Sequence, residues 1–229
     1  LIDPETGAEG ARFAVAQRLR MQQEHVVLNP LTDVAPAAGL NDVLVSAGMN
    51  LSRAWSVDSA MQYNPKTNNA QRRMIAGRYS PGSYRVISAG WRTQNNDDGS
   101  PYSRQLDMGW QWPLHDLWRG ADEDLGIGRG LGEGRWYSVA RLNYSGLDRR
   151  FVESVIGFEY DAGCWLGRIV TERQLIAEGV SRQRLLFQLE FVGFSRLGTN
   201  AIGSIRNNVP GYLPLRAPAL PPSRFGHYD

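Results

Sequence analysis

A two-residue rhythm of apolar and polar side chains, returning again and again along the chain, limits what this sequence can fold into. From Leu106 it runs LDMGWQW, with Leu106, Met108, Trp110 and Trp112 set against Asp107, Gly109 and Gln111. From Arg184 it runs RLLFQLEF, with Leu185, Phe187, Leu189 and Phe191 set against Arg184, Gln188 and Glu190. From Arg135 it runs RWYSVARLNY, with Trp136, Ala140, Leu142 and Tyr144 set against Arg135, Arg141 and Asn143. Successive side chains of an extended backbone point to opposite faces, so this period predicts β-strands with two chemically different faces.

The same reading gives weaker strands at 11–22, 42–52, 54–63, 69–79, 83–93, 149–160 and 164–174, for a total of about ten. Turn chemistry separates them: Ser52 and Arg53, NPKTNN at 64–69, SPG at 80–82, TQNNDDGSP at 93–101, SGLD at 145–148 and DAG at 161–163. Tight and longer connections alternate, as expected when each strand is antiparallel to the next. No helix is expected before residue 196. The prolines after Ser195 exclude a further central strand, so the last strand is expected to end near Phe194, with an irregular extension over 196–229.

Alternation alone suits a soluble sandwich as well as a membrane barrel. Three features favour the barrel. Strands of about 10–14 residues reach the roughly 9–11 needed to cross a bilayer at a tilt. Aromatics gather near strand ends on the apolar face, at Trp55, Tyr63, Tyr84, Trp110, Trp112, Trp136, Tyr144, Tyr160 and Trp165, as in an interfacial girdle. The opposite face is rich in Arg, Gln, Asn, Asp and Glu, which a wet lumen tolerates, whereas an arginine at the lipid midplane costs about 2–4 kcal/mol. The fold expected is therefore all-β, with antiparallel transmembrane strands.

Other function classes find little support. A formal net charge of +2 gives little drive toward nucleic acid, although every basic residue except Lys66 is an arginine, a side chain suited to bidentate phosphate contacts. No stretch has the 18 or so uncharged apolar residues of a transmembrane helix, and the first ten residues do not read as a signal peptide. The glycine run GIGRGLGEG at 126–134 lacks the GK[ST] of a phosphate loop. Asp122, Glu123 and Asp124 with Glu133 imitate a calcium loop, but Ile127 stands where its sharp-turn glycine belongs. His25, His115 and His227 are scattered, so neither a metal nor a catalytic cluster is expected, and carboxylates such as Asp107 and Glu190 read as lumen-facing polar groups. No cofactor is expected. The single cysteine, Cys164, has no partner within these residues.

Four segments are similar to the C-terminal part of the LptD family, lipopolysaccharide-assembly proteins of the Gram-negative outer membrane. They are LIDPETGAEGARFAVAQRLRMQQ, AGMNLSRAWSVDSAMQYNPKTNNAQR, GFEYDAGCWLGRIVTER, and LLFQLEFVGFSRLG with IRNNVPGY. The resemblance implies a fragment of a larger outer-membrane barrel, with residues 1–195 as its C-terminal strands and 196–229 as a periplasmic extension. It implies lipopolysaccharide as cargo, the lipoprotein LptE as plug, and the LptA bridge reached through an N-terminal domain. Cys164 would form a disulfide with an upstream cysteine. Many members carry a second cysteine where this chain has Gly163, so one of two bridges would be missing.

With the DAG turn on the periplasmic side, the 145–148 and 176–181 turns would be extracellular, and the segment from His115 to Gly134 would be an unusually long periplasmic turn without assigned function. The strand from Arg182 to Phe194, carrying Leu185, Phe187, Leu189 and Phe191, would form the lateral seam. Arg135, Arg141, Arg168, Gln188 and Glu190 would face the lumen. Two other readings stay open on residues alone: a passive pore or adhesin barrel, and a soluble β-domain such as a carbohydrate-binding module.

Overall fold

The computed structural model describes residues 9–22, 39–120, 125–126, 128–177 and 179–216. His25, His227, Asp122, Glu123, Asp124 and Ile127 lie outside the described residues.

The strands are β1 (Ala11–Arg20), β2 (Gly39–Asn50), β3 (Trp55–Asn64), β4 (Asn69–Gly82), β5 (Arg85–Asn95), β6 (Pro101–Pro113), β7 (Arg135–Ser145), β8 (Arg150–Asp161), β9 (Trp165–Ala177), β10 (Val180–Phe191) and β11 (Ser195–Gly198), with helices α1 (Asp116–Arg119) and α2 (Ala201–Asn208). They form one sheet in chain order from β1 to β11. Each of the ten expected strands is present.

The structure corrects the expectation in four places. An eleventh strand follows the ten; the tenth ends at Phe191 rather than near Phe194; a four-residue helix, α1, stands before residue 196; and the supposedly irregular extension holds β11 and α2. Strand β11 exists because Gly193, at φ +76°, lets the chain reverse at once. Gln188 to Phe191 then pair with Ser195 to Gly198. Helix α2 starts where Asn200 accepts a hydrogen bond from the Gly203 N–H, a side-chain N-cap.

By contact density the chain divides into two units. The first contains β1, β2, most of β3, and the adjoining parts of β4, β5 and β6. Its register aligns Phe13, Ala47 and Ser59 on one face, with Val15, Val45 and Met61 beside them. Gln62 on the other face donates to Asp42 and Gln71, and Arg12 reaches Asp58 at 2.6 Å. Its turns are closed by side chains: Asn64 Oδ1 accepts from the Lys66 and Thr67 N–H groups, and Asp98 Oδ1 from the Ser100 N–H and hydroxyl.

The second unit contains the remaining ends of β4 to β6 and everything from β7 onward. One of its faces carries the row Ser138, Phe158, Ile169 and Phe187, of which Phe158, Ile169 and Phe187 are 41%, 44% and 55% exposed. Aromatic rings line one end of that face, Trp136 against Tyr160 and Tyr160 against Trp165, with Trp55, Tyr79 and Trp112 in a second run. Tyr84, expected among them, is instead fully buried at φ +62° in the β4–β5 turn, with its hydroxyl turned into the β6–β7 connection.

Candidate functional site

The other face of β7 to β10 can be read row by row from the register. Arg135, Asp161, Leu166 and Glu190 form one row; Tyr137, Glu159, Arg168 and Gln188 the next; then Val139, Gly157, Val170 and Leu186; then Arg141, Val155, Glu172 and Arg184. Arg135, Arg141, Arg168, Gln188 and Glu190 thus share one face. Leu185, Phe187, Leu189 and Phe191 point to the opposite one, where Leu185 is 69% exposed.

All four rows meet the chain's own tail. Val139, Val155 and Val170 pack with Ala201, Ile205, Val209 and Tyr212 in one buried cluster. Gly157 makes this possible: a Cβ there would stand 2.9 Å from Val170 Cγ2 and 3.2 Å from Val139 Cγ2. Burying a side chain such as Ile205 stabilises by about 1.5–3 kcal/mol, so the helix is held first by apolar contact. Polar contacts then fix its position. Gln188 Oε1 accepts the Ile202 N–H at 3.0 Å, and the Ser204 hydroxyl donates to Glu172.

At the centre sits Arg168, 2% exposed, its Nε 2.7 Å from Glu159 and its Nη1 2.6 Å from Glu190. Arg196 of β11 also reaches Glu190, at 3.2 Å, while the Tyr212 hydroxyl donates to Glu159 at 2.8 Å. Two guanidinium groups thus balance two carboxylates, and the network ties β8, β9, β10, β11 and the tail together. Burial pushes the Tyr212 phenol well above its ordinary pKa, and the neighbouring Glu159 carboxylate adds to the rise, so it stays a donor. Buried charges require such pairing, because an unpaired ion away from water costs several kcal/mol.

A second polar cluster centres on Asp107, which receives Arg141 in a two-pronged contact at 2.8 and 2.9 Å and Asn143 at 3.0 Å. Arg141 also reaches Glu153 at 3.3 Å. Asp107 and Glu190 are thus both engaged by arginines.

The long connection from His115 to Gly134 proves to be anchored. The Tyr84 hydroxyl accepts the Arg129 and Gly130 N–H groups and donates to the Gly126 carbonyl, while Tyr137 accepts the Leu131 N–H. Leu131 is buried with Tyr84, Tyr137, Leu166 and Leu215, so connection and tail meet over one end of the face. Gln111 exchanges two hydrogen bonds with the Leu213 backbone, and Arg216 reaches Asp161 at 2.8 Å. The sequence does not single out Glu159 or Tyr212, and it marks Asp161 only as a turn residue and Tyr84 as a girdle aromatic. The EYD segment carried two of them, but period 2 alone does not say that a tail returns onto its face.

Cys164 is exposed in the β8–β9 turn. Gly163 beside it has φ +82°, and a side chain there would run into Glu133. Both the backbone and the β6–β7 connection therefore favour glycine where a second cysteine would stand.

The family model for LptD, LPS transport system D, matches residues 1–118. The chain belongs to the LptD family. Proteins named LPS-assembly protein LptD are 52% identical to it in Albidiferax ferrireducens and in Paracidovorax citrulli, and 31% identical in Cupriavidus necator, each across the whole of this chain. The chain spans about 28% of the length of the first of these relatives, 27% of the second and 26% of the third. Its all-β antiparallel sheet fits the barrel portion of an LptD.

Proposed function

We propose that this chain forms C-terminal strands of an outer-membrane barrel that delivers lipopolysaccharide to the cell surface, acting as a gated conduit rather than an enzyme. The division of each strand into two faces carries this reading. Phe158, Ile169 and Phe187, rimmed by aromatics, suit lipid; the opposite face, where Arg141 and Arg184 are not covered by the tail and Arg168, Gln188 and Glu190 anchor it, suits the wet interior along which an anionic saccharide moves. Residues 1–195 belong to the barrel wall and 196–229 to a C-terminal extension on the periplasmic side, with the Cys164 turn on that side also. Cys164 pairs with a cysteine outside these residues, in an oxidising compartment. LptE fills part of the lumen, an N-terminal domain receives cargo from LptA, and β10 lines the lateral seam.

The test is photo-crosslinking in living cells, with a benzoyl-phenylalanine placed in the full-length protein at Leu44 or Arg184 on the polar faces. Lipopolysaccharide adducts at these positions are expected. Their absence, in protein that assembles normally, contradicts the conduit reading.

A further inference from the structure

The β6–β7 connection carries two neighbouring side chains that its anchoring leaves uncovered: Leu117 and Trp118 of α1 are 69% and 68% exposed. They do not sit on a loose loop. Asp116 holds Arg85 through a buried two-pronged ion pair at 2.6 and 3.1 Å, with both side chains under a tenth exposed. The Leu114 N–H bonds the Trp136 carbonyl, and the Leu117 and Trp118 N–H groups bond the Leu114 and His115 carbonyls. Two large apolar groups are thus displayed on a fixed mount.

Strand parity says where that mount stands. On β5, Val86 lies against Gly211 of the tail and the Ser88 hydroxyl bonds the Gly109 carbonyl, whereas Ile87 is 47% exposed. Arg85 shares the parity of Ile87, yet it is only 6% exposed, because Asp116 covers it. Helix α1 therefore sits on the apolar side of the sheet. It starts shortly after Trp112, and Leu114 just ahead of it bonds the Trp136 carbonyl, so it adjoins the run of rings formed by Trp55, Tyr79 and Trp112 on one side and Trp136, Tyr160 and Trp165 on the other.

We propose that Leu117 and Trp118 form an interfacial foot seated in phospholipid at the boundary between headgroups and acyl chains. This rests on the lipid-facing reading of the apolar face. An indole suits that depth because its ring is apolar and its N–H is not, and a leucine beside it adds buried area without a charge to desolvate. The foot carries the girdle across the long β6–β7 connection and sets the depth at which that connection rides.

The experiment replaces Trp118, and separately Phe158, with benzoyl-phenylalanine in the full-length protein, reconstituted in vesicles of labelled phosphatidylethanolamine and phosphatidylglycerol. Both positions are expected to yield labelled lipid adducts on irradiation. Lipid adducts at 158 with none at 118, or a crosslink from 118 to another part of the chain, overturn the foot and leave the lipid-facing reading intact. Failure at both positions overturns the two together.

Discussion

Arg168 shows what a charged residue can do on a face that period 2 marks as polar. Its position on that face was legible from alternation; its burial was not, since burial comes from Tyr212 and α2, distant in sequence. Replacing Arg168 with Met leaves Glu159 enclosed without its cation, a change that costs about 3–5 kcal/mol. The thermal midpoint of the purified full-length protein in detergent should fall, and the further change Glu159→Leu should recover most of the loss. An unchanged midpoint for Arg168→Met would show that the network contributes nothing. The two faces can be tested one residue at a time. Phe158→Arg places a cation on the apolar face at a cost of about 2–4 kcal/mol, whereas Gln62→Arg remains beside Asp42 on the polar one. Heat-modifiable, assembled protein should be reduced by the first and not by the second; equal tolerance would refute the assignment of faces.

At the scale of elements, strands were the readable part of the sequence and the packed tail was not. Strand periodicity repeats every second residue and is visible over ten residues, but α2 has eight residues, a glycine and an Asn pair, and little apolar period of its own. Its partners Val139, Val155 and Val170 lie on three different strands, one on each. The β6–β7 connection was opaque for the same reason, because Tyr84, Tyr137 and Arg85 that anchor it lie outside it. Truncation after Gly198 should leave the strands able to form while uncovering those three valines together with Arg168 and Glu159. Hydrogen exchange of the full-length protein should then show lost protection in β7 to β9 near these residues and unchanged protection in β1 and β2. Uniform protection after truncation would mean that the tail does not hold this face.

For the whole molecule, Cys164 and the conduit reading reach beyond the described residues. Its exposure in a tight turn leaves the thiol accessible to a cysteine outside these residues. In the full-length protein, Cys164→Ser should abolish the mobility difference between reducing and non-reducing gels, and a persisting difference would assign the bridge to other cysteines. The most direct measurement is to deplete the full-length protein in its own cells and follow newly made lipopolysaccharide. The account predicts that surface delivery stops while lipopolysaccharide accumulates behind the outer membrane; delivery at the normal rate after depletion would contradict it.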